Sequence, residues 1–233
     1  MYDYNKLFYF IYIMNQISTN YYKLKYLKYK LKYKLSKQNM FSSIKKEHGT
    51  QLYSFNGVWA YSNGLEDKCK SDELNYNNGY FTGIKWQCVE YARRYVQTVF
   101  GVTFSQVDSA YEIPNAIFTR LDDNKIIEPS INNINYFFKK KSLDSLTNSL
   151  KKSLDLLSST LIIWPKDYEL DDSLNILKDA KHSYPHGHVA IIVLANKDGL
   201  YVAEQNYDNN DYYRFIPWTN LLDRNNITVI SII

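Results

Sequence analysis

Cys88, His188 and Glu204 are the residues on which acyl-transfer chemistry could be built. A thiolate attacks an amide carbonyl, an imidazole moves the proton, and a carboxylate orients the imidazole. Cys88 lies in GIKWQCVEYARRY (83–95), where a loop runs into a helical pattern. Val89, Ala92, Val96 and Val99 recur at helical spacing and Gly101 follows as a stop, which predicts a helix over 86–100 with Cys88 third. The unpaired N–H groups of that first turn favour a negative charge. To be mostly ionised at neutrality an ordinary thiol must fall by about 2.5 pH units, roughly 3.4 kcal/mol. A helix terminus supplies at most about 2 kcal/mol. A cationic histidine must supply the rest.

Four histidines are candidates. His48 stands at the domain entrance, His182 in a polar loop, and His186 in the approach to an apolar strand. His188 opens that strand, HVAIIVLA, and a strand lodged in a core gives a base a fixed direction. In LYVAEQN (200–206), Val202, Glu204 and Asn206 alternate onto one face. If residues 196–198 form a three-residue turn, Ala195 pairs with Gly199, His188 falls opposite Asn206, and Glu204 is the diagonal neighbour. A two-residue turn would send His188 to the other face, so the chemistry requires the longer turn or a compensating bulge. The Cys88 backbone N–H, with the Gln87 side chain, is positioned to form an oxyanion hole. Each residue also has a plain structural reading: an inert buried thiol, a hydrogen-bonded histidine, a solvated glutamate. A metal site of His186, His188, Cys88 and Glu204 lacks C-x-x-C or H-E-x-x-H spacing, so neither metal nor cofactor is expected.

These elements need a domain around them, and 233 residues suit one domain plus an appendage. Two widely spaced cysteines make no disulfide framework, which points to a reducing, cytoplasmic setting. Residues 1–47 carry ten lysines against two acids, while the remainder has 18 basic and 22 acidic residues. A mildly acidic domain over 48–233 thus wears a basic extension, and the chain as a whole is no nucleic-acid binder by charge. The apolar run Leu7–Met14 is too short to span a bilayer and lacks an A-x-A cleavage site. Leu24, Leu27, Leu31 and Leu35 among lysines allow an amphipathic helix on an anionic surface, against the plainer reading of a solvated low-complexity tail. Within the domain, 57–63 reads as a strand into a turn, 77–83 as a Gly/Asn-rich loop, and 160–165, 188–195, 200–206 and 227–233 as strands. The Lys/Ser/Leu-rich 139–160 reads as a surface helix or insertion, within a variable stretch 139–185.

KWQCVEYARR, GHVAIIV and VAEQN together resemble the three motifs of the CHAP amidases, cysteine- and histidine-dependent amidohydrolases. The resemblance is nearest to the amidase domains of glutathionylspermidine synthetase/amidase and trypanothione synthetase, and HGTQLYSFNGVWAYSN and FGVTFSQVDSAYEI extend it over most of 48–233. It implies an α+β, papain-like fold in which a helix carrying the cysteine packs on an antiparallel sheet carrying histidine and glutamate. It assigns Cys88 as nucleophile, His188 as base and Glu204 as its orienting partner. By the same resemblance Asn206 is a polar position near the site, and Arg93 meets substrate carboxylates. No synthetase domain follows the last motif, so the expected activity is hydrolysis of an amide such as glutathionylspermidine. The alternatives are a peptidoglycan hydrolase or peptidase of the same chemistry, and an inactive binding module.

Overall fold

The computed structural model describes residues 46–64, 72–134, 157–165, 168–170, 182–184, 186–196, 198–207, 212–222 and 226–232. The expectations for the basic extension up to residue 45, for Cys69 and for most of 139–185 fall outside the described residues. Of the segment 139–160, residues 157–160 are described, and they form a turn leading into a strand.

Two hairpins come first: β1 (Gln51–Phe55) with β2 (Val58–Tyr61), and β3 (Leu74–Asn77) with β4 (Tyr80–Ile84). The second occupies the segment read as a loop. Asn78 and Gly79 both take positive φ, 50° and 85°, the geometry of a tight hairpin turn between twisted strands. The helix α1 (Cys88–Phe100) follows and ends at Gly101, whose φ of 64° lets its N–H turn back to the carbonyls of Val96 and Gln97. β5 (Val102–Phe104), β6 (Phe118–Arg120) and β7 (Ile126–Ile127) form a small sheet, and a 3₁₀ turn over Ala110–Asn115 lies between β5 and β6 in the chain.

The remaining strands are β8 (Ser130–Asn133), β9 (Leu161–Trp164), the paired β10 (Tyr168–Leu170) and β11 (His182–Tyr184), β12 (His188–Ala195), β13 (Gly199–Ala203), β14 (Tyr213–Pro217) and, after the short helix α2 (Thr219–Leu222), β15 (Thr228–Ser231). Six of them form one antiparallel sheet in the order β14-β13-β12-β9-β15-β8. The architecture is α+β. His182, expected in a loop, belongs to β11, where it pairs with Leu170.

Val189, Ala190, Ile191 and Ile192 are all fully buried, so β12 is covered on both faces and reads as a continuous apolar run. Burial of each branched side chain contributes roughly 1.5–3 kcal/mol. Helix α1 packs against β12 and is itself enclosed, with Glu90 through Gln97 all buried. Tyr91, Ala92, Tyr95 and Val96 reach the core, whereas Val89 and Val99 are only half-buried, because the hairpins cover flanks that a one-sided helix would expose. Gly83 permits that close cover: a Cβ there would stand 3.2 Å from the Glu90 backbone.

The β12–β13 hairpin decides which way His188 faces. Ala195 pairs with Leu200 rather than Gly199, so the turn is one residue longer than expected. Asn196 accounts for the length, its Oδ1 accepting the N–H groups of Asp198 at 2.8 Å and Gly199 at 3.2 Å. Alone, that shift would invert β12. A bulge between Ile192 and Leu194 cancels it, so that Ile192 pairs with Val202 and Ile191 with Ala203. The Val193 carbonyl, turned out of the ladder, accepts the Ser158 hydroxyl at 2.9 Å.

Candidate active site

Gln87 is the residue that precedes the first turn of α1, with extended φ and ψ of −80° and 160°, and Cys88 is the first helical residue rather than the third. The half-buried Cys88 thiol is hydrogen-bonded to the His188 ring. The backbone N–H groups of Val89 and Val189 also donate to its sulfur. Burial pushes the thiol up. The positive charge and hydrogen bond of His188, helped by those two N–H groups, outweigh it and bring Cys88 below the ordinary thiol value. The terminus and the imidazole act together, as the energetic comparison requires.

His188 is 3% exposed and opens β12 opposite Trp164 of β9. Its neighbour Gly187, at φ 64°, lies so close to β9 that a Cβ would meet the Trp164 carbonyl at 2.6 Å. Only glycine lets the chain drop onto the sheet at that point. His188 Nε2 contacts Glu204 Oε2 at 2.9 Å, which leaves Nδ1 for the sulfur. Burial alone would lower the imidazole, but the Cys88 thiolate and the Glu204 carboxylate raise it to about 9. Trp164 and Tyr207 flank the ring, with centroids 5.6 and 5.7 Å away.

Glu204 is fully buried just past the end of β13, where the chain leaves the ladder. Burial pushes its carboxyl up, yet the charge of Arg214 and the His188 contact hold it below the usual carboxylate value. Arg214 donates from Nε to Oε1 at 2.6 Å and from Nη2 to Oε2 at 2.9 Å. Arg214 was not singled out in the sequence. The signal was an arginine inside the apolar strand YRFIP, directly opposite Val202 and therefore on the face that Glu204 shares.

The residues around this set divide clearly. Asn206, at φ 60°, donates from Nδ2 to Gln87 Oε1 at 2.6 Å, while its own Oδ1 accepts from Asn63 Nδ2 at 2.7 Å. That orientation leaves the Gln87 amide nitrogen as the end of the group with no partner among the described residues. Gln205 ties the helix start to the sheet: its Nε2 donates to the Gln87 carbonyl at 3.1 Å and to Glu90 at 2.9 Å, and its Oε1 accepts the Tyr61 N–H at 2.8 Å. Arg93 differs from expectation. It is 2% exposed and donates to three backbone carbonyls, those of Thr82 at 2.6 Å, Ser105 at 3.1 Å and Phe104 at 3.2 Å. With three of its five N–H donors on these carbonyls, the guanidinium clamps β4 and β5 to the helix. His48 lies beside Trp86, and His186 meets the Ser109 hydroxyl at 3.1 Å, so neither joins the Cys88 set.

The fold and site therefore define an α+β protein in which a cysteine at a helix start, a histidine at a strand start and a glutamate at a strand end form one hydrogen-bonded chain. The chain is similar to the bifunctional glutathionylspermidine synthetase/amidase of Escherichia coli (strain K12) and to that of Shigella flexneri, with 30% identity over 182 residues, 75% of this chain. It spans about a quarter of the length of these curated relatives. No family model matches it. Among solved structures, that of Ly7917 aligns over 68% of this chain and 56% of its own, with a TM-score of 0.33 and 13% identity.

Proposed function

We propose that this chain is a cysteine amidohydrolase of papain-like design that cleaves glutathionylspermidine or a related glutathione–polyamine amide. The observation that carries the reading is the continuous contact from the Cys88 thiol through His188 to Glu204 at a helix N-terminus. Cys88 thiolate attacks the amide carbonyl, and the oxyanion is received by the Cys88 backbone N–H and the Gln87 amide nitrogen. His188 gives its proton to the departing amine as the C–N bond breaks, leaving a thioester. Water then attacks that thioester, His188 takes the water proton, and the C–S bond breaks to release the acid and restore the thiolate. The similarity to the synthetase/amidases supports the conjugate as substrate.

The test is mass spectrometry of the products from a panel of glutathione–polyamine conjugates and muropeptides. The expected result is free polyamine and glutathione, with turnover falling about 10,000-fold or more in Cys88→Ala while the fold survives. Cleavage of muropeptides alone would transfer the same chemistry to a peptidoglycan hydrolase. Unchanged turnover in Cys88→Ala would remove the cysteine mechanism.

A further inference from the structure

Given that reading of the site, one charge is left over. With Cys88 as thiolate, His188 as imidazolium and Glu204 as carboxylate, the three groups carry one net negative charge where His188 and Glu204 are almost wholly buried. An isolated charge in such a place is costly, and the set relieves the cost by giving up its least favourable ion, the thiolate. Among the described residues, Arg214 is a buried cation that touches the set. It is 8% exposed, grips both oxygens of Glu204, lies over the Tyr207 ring at 3.7 Å and stands 5.5 Å from the Trp164 ring centroid. The same two rings flank His188, so both cations sit between one pair of aromatic faces with Glu204 linking them.

We propose that Arg214 is a positioning residue that brings the buried set to neutrality, and thereby allows Cys88 to remain a thiolate while His188 and Glu204 are both charged. The described groups bordering the set are Cys88 from α1, His188 from β12, Glu204 and Tyr207 from the segment after β13, Trp164 from β9 and Arg214 from β14. The other buried charges on α1 do not alter the balance. Glu90 and Arg94 form their own pair at 2.7 Å, and Arg93 faces the carbonyls of β4 and β5.

The experiment is alkylation of the full chain by iodoacetamide between about pH 5 and 9, read at the Cys88 peptide by mass spectrometry so that Cys69 does not contribute. Circular dichroism establishes that each variant is folded. In Arg214→Met the half-maximal pH for Cys88 alkylation rises by about one unit, so that well below the wild-type midpoint the rate drops about tenfold. Arg214→Lys restores most of the wild-type profile. The double variant Glu204→Gln/Arg214→Met loses one charge of each sign and lies closer to wild type than Arg214→Met alone. If Arg214→Met does not fold, Arg214→Gln, which keeps amide donors for Glu204 and drops only the charge, carries the same expectation. An unmoved midpoint in a folded neutral variant, or a double variant displaced as far as the single, overturns the proposal while leaving the amidase reading intact. A wild-type Cys88 that alkylates only as an ordinary thiol overturns that reading first.

Discussion

Glu90 and Glu204 invite comparison, since both are fully buried and each is held by an arginine stacked on aromatic rings. Glu90 receives Arg94 at 2.7 and 3.2 Å, Asn75 at 2.8 Å and Gln205 at 2.9 Å. All of those donors keep their protons throughout the physiological range. Glu204 receives Arg214 on both oxygens and gives its last position to an imidazole. One carboxylate is closed by permanent donors and fixes the helix. The other is left open to a group that titrates, and through it reaches a sulfur.

The widest separation between the two clusters comes from His188→Ala, for which amide hydrolysis falls about 10,000-fold with little change in melting temperature. Next is Glu204→Gln, expected to lower kcat by about 100-fold, because Cys88 and His188 remain but the imidazole is less well oriented. Its pH profile carries the sharper sign. Glu204 raises His188, whose deprotonation near pH 9 ends the ion pair and sets the alkaline limb. In Glu204→Gln that limb moves to lower pH; a limb that stayed in place would mean Glu204 does not act on the imidazole.

Asn206→Ala frees the Gln87 amide and is expected to reduce kcat roughly tenfold with KM nearly unchanged, since the oxyanion donor is loosened rather than removed. Glu90→Gln should do the opposite of the Glu204 change. It costs about 3 kcal/mol of stability by leaving Arg94 buried without its charge partner, while the pH dependence of Cys88 alkylation stays where it was. The smallest effect on turnover belongs to Arg93→Met, which weakens the fold and leaves KM within about twofold. A large rise in KM would return Arg93 to the substrate.

Much of this contrast was legible in the residues. Cys88, His188 and Glu204 stand out because nucleophile, base and carboxylate fall at the ends of elements whose periods are clear. Asn78–Gly79 was an equally plain hairpin signal, hidden because the Gly/Asn density around it also describes a loop. Arg214 and Asn63 were not legible. Each acts through a residue already chosen, and nothing in local spacing says that β14 lies beside β13 or that the β2 turn reaches Asn206. Arg93 had a role by resemblance alone, and nothing in local spacing says that β4 and β5 close over it with their carbonyls.

The extra residue at Val193 has a consequence for how such chains are compared. It lies roughly 17 Å along the strand from His188, too far for any contact with the chemistry. Drawing it into the ladder as a paired residue would keep the cysteine, histidine and glutamate in the chain, yet turn the imidazole to the far side of the sheet. Removing it outright would leave Ile192 opposite Val202 and the imidazole on its present face. The odd or even length of the spacer between the histidine and glutamate motifs, together with how many of its residues stand outside the pairing, separates a competent chain from an inert one whose motifs are identical.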